Sequence, residues 1–202
     1  MARHRYGTFF GGLDLPELKD RTLDRPIEPL FVPPHLIVPL GLPGRTPGER
    51  LIEPGKSVRT GQVLAKGDGY ATPDILAPLS GRVAELTTAQ VAAAGRFVEV
   101  DAVKINSLRA DPPPEHPPFG RSWRDADPDD LCAFAAESAM TTFRQPVIAL
   151  SAWLDQARQA GVVTLVLNVM ECQPYLTCGH RLLVEYGPLV LTGLAILARA
   201  IG

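Results

Sequence analysis

Glu53-Pro54-Gly55-Lys56-Ser57-Val58-Arg59-Thr60-Gly61-Gln62-Val63-Leu64, followed by Ala77-Pro78-Leu79-Ser80-Gly81-Arg82-Val83, decides the fold of the first half of this chain. Each stretch sets proline and glycine beside short β-type runs, the chemistry of tight turns that feed short strands. Working outward, similar runs lie at Leu36 to Leu40, Arg50 to Ile52, Val63 to Ala65, Ile75 to Ala77, Arg82 to Leu86 and Phe97 to Val103. Their spacing, punctuated by glycine and proline, predicts a compact all-β module.

Taken as a pair, the two quoted stretches resemble the turn-strand pattern of biotinyl and lipoyl carrier domains, and the fold this implies is the barrel-sandwich hybrid. Carrier domains hold their cofactor on a lysine at a hairpin tip. Counting forward from Gly61 and back from Ala77, that tip falls at Tyr70 or Ala71, and the nearest lysine, Lys66, stands too early. The expectation is a module without a carrier lysine, Lys66 being a solvated strand-end residue.

Proline numbers 20 in 202 residues, about twice its usual ~5% share. The run Ala110-Asp111-Pro112-Pro113-Pro114-Glu115-His116-Pro117-Pro118 reads as a stiff, extended linker, because each proline fixes φ and disfavours helix before it. The expected domains are therefore a β module over 1–109, a linker over 110–122 and a second segment over 123–202. Periodicity there becomes helical. Asp127 reads as an N-cap and Pro128 as the first helical residue, with Asp129 and Asp130 at the positive helix end and Leu131 to Ala139 following. A second helix is expected from Pro146 to Ala160, with Ala149, Trp153, Leu154 and Ala157 on one face and Gly161 as its stop. Val162-Val163-Thr164-Leu165-Val166-Leu167 has the unbroken apolar character of a strand covered on both faces. One or two helices from His180 to Ile201 close the chain. The fold class expected is α+β, a barrel-sandwich-hybrid module followed by an incomplete α/β segment. A lone buried strand cannot satisfy its own backbone groups, so either the β module or a partner chain must supply its neighbours.

Hydrophobic residues make up 46% of the chain, enough for a real core, and the formal net charge of -2 gives no electrostatic footprint for nucleic acid. The start, Met1-Ala2-Arg3-His4-Arg5, lacks a signal-peptide core, and the three cysteines, Cys132, Cys172 and Cys178, are an odd count. A reducing cytoplasmic setting is expected. The apolar run Leu189 to Ile201 falls short of the ~20 residues of a bilayer crossing, so a buried or partner-facing helix is expected and no direct membrane span. His4, His35, His116 and His180 are dispersed and form no zinc spacing with the cysteines, and no hydrolase arrangement is present.

Asn168-Val169-Met170-Glu171-Cys172-Gln173-Pro174-Tyr175 resembles the Asn-x-x-Glu-Cys-Glu-Pro-Tyr signature of the RnfC component of Rnf-type electron transport complexes. Phe10-Gly11-Gly12-Leu13-Asp14-Leu15-Pro16, with Lys19 and Thr22, resembles the opening of RnfC and of the related NqrA component of sodium-pumping quinone reductases. The resemblance implies a start of a flavin and NADH-binding domain after the β module, in a family that passes electrons from nicotinamide through flavin and iron-sulfur clusters. It also implies that Glu171, with Asn168 and Tyr175, stands near the flavin.

Three departures bear on that implication. Where the family carries a loop of the form Gly-Gly-Ala-Gly-Phe-Pro-Thr, this chain has Thr141-Thr142-Phe143-Arg144-Gln145-Pro146-Val147, and only Pro146 matches. Small residues there let backbone N–H groups approach phosphate, and side chains would fill that space, although Arg144 could pair with an anion. The second acid of the signature is Gln173. Cys172 and Cys178 are far from Cys132 and make none of the four-cysteine runs that converge on an iron-sulfur cube, so no metal site is expected.

Two functions remain open. The first is a shortened RnfC-like protein, a non-catalytic adaptor or assembly piece with no cofactor of its own, partnered by redox-complex subunits or by its own copies and held at the inner membrane through them. There, Asn168 and Glu171 brace the turn. The second is a genuine electron-transfer component that binds FMN through Asn168, Glu171, Tyr175 and Arg144, its sheet completed by a dimer partner or a separately encoded remainder. A decayed or prematurely ended gene product is a third reading. No catalytic residue is assigned.

Overall fold

The computed structural model describes residues 16–42, 48–68, 72–93, 95–108, 122–142 and 147–202, together with the backbone of 5–6 and 9–10. The carrier-tip positions Tyr70 and Ala71, the proline run, Arg144 and most of the Phe10 to Pro16 opening lie outside the described residues. The chain divides into two units, 1–30 with 165–195 and 31–164 with 196–202.

In the second unit, four antiparallel strands stand in the order β3 (His35–Pro39), β8 (Arg96–Ser107), β7 (Gly81–Ala93), β4 (Ser57–Val58). A second sheet pairs β5 (Val63–Ala65) with β6 (Ile75–Leu76). In the other unit β1 (Arg5–Tyr6) pairs with β2 (Phe9–Phe10). The runs expected at Leu36, Val63 and Ile75 are strands, whereas Arg50 to Ile52 forms only a single bridge, Arg50 to Ala65. The Arg82 and Phe97 runs grow at both ends into one long hairpin, Gly81↔Ser107 at its base and Ala93↔Arg96 at its tip. Cross-strand pairs such as Val91↔Val98 and Ala89↔Val100 carry the ladder past the reach of the flanking strands.

The two stretches that announced the fold are stitched to each other. Gly61 N–H donates to Ala77 C=O and Ala77 N–H to Gln62 C=O, both at 2.8 Å, while Gly55 N–H meets Val83 C=O at 2.8 Å and Val83 N–H meets Lys56 C=O at 2.9 Å. Thr60 N–H is accepted by Ser80 Oγ at 2.9 Å. Gly61, at φ 80°, turns the chain through a conformation that side chains disfavour. Inside this frame Leu40, Ile52, Val58, Leu64, Ala77, Val83, Val103 and Ile105 form the core. Lys66 Nζ pairs with Asp74 at 2.9 Å, and Gly67 N–H donates to the same carboxylate at 2.9 Å. Burial pushes the Asp74 carboxyl up, but Lys66 and Gly67 more than offset it and hold it below its ordinary value. Lys66 is thus a salt-bridged strand-end residue.

Two helices follow. α1 (Pro128–Glu137) begins where expected, with Asp127 at the N-cap, though its side chain makes no capping bond. α2 (Leu150–Gln159) starts later than Pro146, because Ile148 and Ala149 just ahead of it are engaged elsewhere: Thr142 N–H donates to Ile148 C=O at 3.0 Å, and Thr141 bridges Ala149. Gly161, at φ 64°, ends the helix as expected. Leu131, Cys132, Ala135 and Leu154 enclose a second core with Ala126 and Ala200, flanked by Trp123 and Trp153.

The strand expected at Val162 to Leu167 is absent. The segment forms no regular element and joins no ladder among the described residues, and Val163 is 95% and Val166 77% exposed. Its apolar pattern encodes a buried strand, and neither the β module nor any other described element supplies a neighbour.

The last helix, α3 (Cys178–Ile201), starts two residues before the expected His180 and breaks at Tyr186 (φ -126°, ψ 20°). Pro188 follows two residues later; it has no N–H for the helical ladder and its ring crowds the preceding turn. α3 is long and apolar enough to cross a membrane by length and composition, but its last turn contributes Ile196, Leu197, Ala200 and Ile201 to the core of α1 and α2. Between its ends Leu182, Val184, Leu189 and Leu191 are exposed.

Candidate functional site

The turn from Asn168 to Thr177 and the start of α3 gather three of the four predicted site residues. Asn168 Oδ1 accepts Met170 N–H at 3.0 Å, a local turn bond. Glu171 reaches forward to the helix start, where its Oε1 accepts Gly179 N–H at 2.8 Å and the Cys178 thiol at 3.0 Å. That carboxylate satisfies helix-end donors at the positive end of the dipole. Tyr175 takes the left-handed conformation at φ 66°, so the chain reverses sharply after Pro174.

Residues far away in sequence fasten this turn. Lys19 Nζ donates to Glu171 C=O, Thr22 Oγ1 donates to Tyr175 C=O at 2.7 Å, and Tyr175 N–H donates to Glu17 C=O at 2.9 Å. The Arg21 guanidinium lies 5.9 Å from the centre of the Tyr175 ring. One turn along α3, Arg181 pairs with Glu185 at 2.6 Å and donates to Leu23 C=O at 3.2 Å, while Glu185 accepts Ile27 N–H at 3.1 Å. Lys19 and Thr22 entered the sequence reading only as part of a resemblance. Their role as fasteners has no local signal, because their partners lie about 150 residues on.

The electrostatics follow from this geometry. The Cys178 thiol donates to Glu171 and, with Gly179 N–H, holds its carboxyl below the ordinary value. Reciprocally, the Glu171 carboxylate pushes the Cys178 thiol up, against the usual acidifying effect of a helix start. Because the folded pKa of Glu171 is depressed, its contact stabilises the turn above the ordinary carboxylate value and is lost as pH falls through the lower one. Cys178 is consequently a protonated brace and a poor thiolate ligand at neutral pH. Replacing the carboxylate by an amide (Glu171→Gln) removes the charge that opposes thiolate formation. Alkylation of Cys178 at pH 8, followed by mass spectrometry, is expected to speed up roughly three- to tenfold; an unchanged rate would mean the contact does not form.

Thr141 and Thr142, where the family loop has glycine, are half-buried, and Thr142 Oγ1 accepts Ile148 N–H at 3.3 Å. They bond to Ile148 and Ala149, just ahead of α2. Arg144 lies outside the described residues. Cys132 is buried between α1 and α2, and burial raises its thiol pKa. Among the described residues no group of three His, Cys, Asp or Glu could hold a metal ion.

Comparison with known proteins agrees with both halves of the chain. Residues 7–107 match the model of the RnfC barrel sandwich hybrid domain. Similarity extends over nearly the whole chain to the RnfC components of three ion-translocating complexes. One is the proton-translocating ferredoxin:NAD(+) oxidoreductase complex of Clostridium ljungdahlii, with 24% identity over 192 residues, covering 95% of this chain and 41% of that protein. Another is the ion-translocating oxidoreductase complex of Rhodobacter capsulatus, with 29% identity over 198 residues, covering 95% and 37%. A third is the Na(+)-translocating ferredoxin:NAD(+) oxidoreductase complex of Acetobacterium woodii, with 27% identity over 198 residues, covering 98% and 44%. The chain thus spans less than half the length of these relatives. With its two turns stitched as a barrel-sandwich hybrid and its Glu-Cys-Gln-Pro-Tyr turn fastened at the start of α3, this chain belongs to the RnfC family.

Proposed function

We propose that this chain is a non-catalytic docking component of an ion-translocating ferredoxin:NAD oxidoreductase-type complex, on the cytoplasmic side of the membrane and held there by partner subunits. The observation that carries this reading is the commitment of Glu171: its carboxylate is spent on Gly179 N–H and the Cys178 thiol, bracing a helix start, while apolar side chains around it face outward. Thr142 supports it, its hydroxyl being engaged with Ile148 N–H where the family's loop would admit phosphate. The chain contributes surface and no redox group. Co-expressed with the membrane subunits of the Rhodobacter capsulatus complex, it is expected to co-purify with them and, on its own, to leave NADH unoxidised in the presence of an artificial acceptor. Failure to co-purify, or NADH oxidation by the isolated chain, would overturn the reading.

The alternative, FMN held by Asn168, Glu171, Tyr175 and Arg144, draws support from one feature: the first three lie within one turn, where Asn168 and Tyr175 are exposed and Glu171 is half-buried. FMN would supply hydride and single-electron chemistry, and Asn168 and Tyr175 would orient it.

A further inference from the structure

The face of the β7–β8 hairpin that builds the core changes character where the hairpin leaves the β module. Leu86 stands opposite Val103 across the ladder, the first packed against the core and the second part of it. Two residues further along each strand, on the same face, Thr88 stands opposite Asp101. A cavity of about 450 Å³ lies here, with Leu40, Leu86 and Ala102 as apolar surface and Arg50, Thr88 and Asp101 among its polar lining. That size falls within the range of small-molecule pockets, about 300–1,000 Å³, and an apolar floor with a few convergent polar groups is their usual make-up.

Backbone bonds fix both walls. On one side the segment that carries Arg50 lies against β5: Leu51 N–H donates to Leu64 C=O at 2.9 Å and Lys66 N–H to Glu49 C=O at 2.8 Å. Gly48 comes so close to Lys66 C=O that a Cβ there would overlap it. On the other side Leu40 N–H donates to Asp101 C=O at 2.8 Å and ties the end of β3 to the hairpin. Filling the cavity therefore costs little backbone ordering.

The charges say what fills it. Among the described residues, the Arg50 guanidinium, the Thr88 hydroxyl and the Asp101 carboxylate form no hydrogen bond or ion pair, with each other or elsewhere. One cation and one anion thus line a single cavity unpaired. An anionic ligand would gain Arg50 and meet the like charge of Asp101, and a cationic one would gain Asp101 and meet Arg50. A ligand that bears both signs satisfies both, and the Thr88 hydroxyl can donate to its carboxylate or accept from its ammonium.

We propose that this cavity binds a small zwitterion, an apolar amino acid or its dipeptide, with the carboxylate on Arg50, the ammonium on Asp101 and the side chain against Leu40 and Leu86. The site lies wholly within the β module and stands apart from the docking reading.

The test titrates the 202-residue chain with L-leucine and with L-leucyl-L-leucine, followed by amide NMR shifts. Isocaproate and isoamylamine, which keep the apolar body and one charge each, are the comparison. Saturable binding of at least one zwitterion is expected, with a dissociation constant of about 1 mM or tighter and shifts centred on Leu86 to Thr88 and Asp101. Either analogue is expected to bind about tenfold or more weaker. Arg50→Gln and Asp101→Asn replace exposed side chains without described partners, so thermal unfolding is expected to stay unchanged. Each is expected to weaken zwitterion binding roughly ten- to a hundredfold. Three results would each overturn the proposal: no saturable binding of either zwitterion in this range, an analogue with one charge that binds as tightly, or an affinity unchanged in either variant.

Discussion

Gly81→Ala is expected to lower the stability of the β module by about 3 kcal/mol, because the module has no space for one methyl group at the base of its hairpin. A Cβ at Gly81 would stand 2.4 Å from Asn106 O and 2.5 Å from Ile105 Cγ2, distances that demand movement of the β8 backbone and of a fully buried core residue. The same position pairs with Val58 on β4 and Ser107 on β8, so the shift would propagate through three strands. Amide exchange of the β7–β8 ladder would read the loss. The contrast is Gly193→Ala in α3, where a Cβ meets nothing within 4 Å; replacing a helical glycine there is expected to stabilise by about 0.5–1 kcal/mol. Equal effects at the two glycines would contradict the account of the hairpin base.

Leu154→Ala is expected to cost about 4 kcal/mol, near the upper end of leucine truncations. Leu154 is 1% exposed and packs with Ala126, Leu131, Cys132, Ala135 and Ala200. Three of those five neighbours are alanines, which have no side chain to swing into the vacated space, so the cavity stays open. Trp123 and Trp153 flank this core and are the only tryptophans of the chain, so denaturation followed by tryptophan fluorescence reports on it directly. A loss under about 1.5 kcal/mol would mean that the helices collapse onto one another and that the core is looser than its burial indicates.

What could be read from sequence divides along a physical line. The Pro54-Gly55 to Leu64 and Ala77 to Val83 stretches were legible because turn chemistry is local, and the structure zips those two stretches together. The length of the β7–β8 hairpin was not, because Ala89-Gln90 and Ala92-Ala93 have little strand character alone and gain it from the facing Glu99-Val100 and Arg96-Phe97. α2 was placed too early at Pro146, since the bond between Thr142 N–H and Ile148 C=O, which engages the backbone just ahead of the helix, has no signal in the residues themselves. Val162 to Leu167 was read as a strand needing neighbours from the β module or a partner chain, and it forms no strand: an apolar pattern records what a segment needs, and such neighbours are not among the described residues. At the site, the forward reach of Glu171 to the helix start was among the expected bracing roles. The fastening by Lys19, Thr22 and Glu17 was not, because it joins opposite ends of the chain.

In the docking reading proposed above, Glu171 is a structural brace and FMN is expected to find no site on the chain. FMN titrated into the purified 202-residue chain, with flavin fluorescence and equilibrium dialysis as readouts, tests this most directly. The expected result is no saturable binding in the native chain and none in Glu171→Gln. Binding of one equivalent of FMN, abolished by Glu171→Gln while the fold is retained, would contradict it.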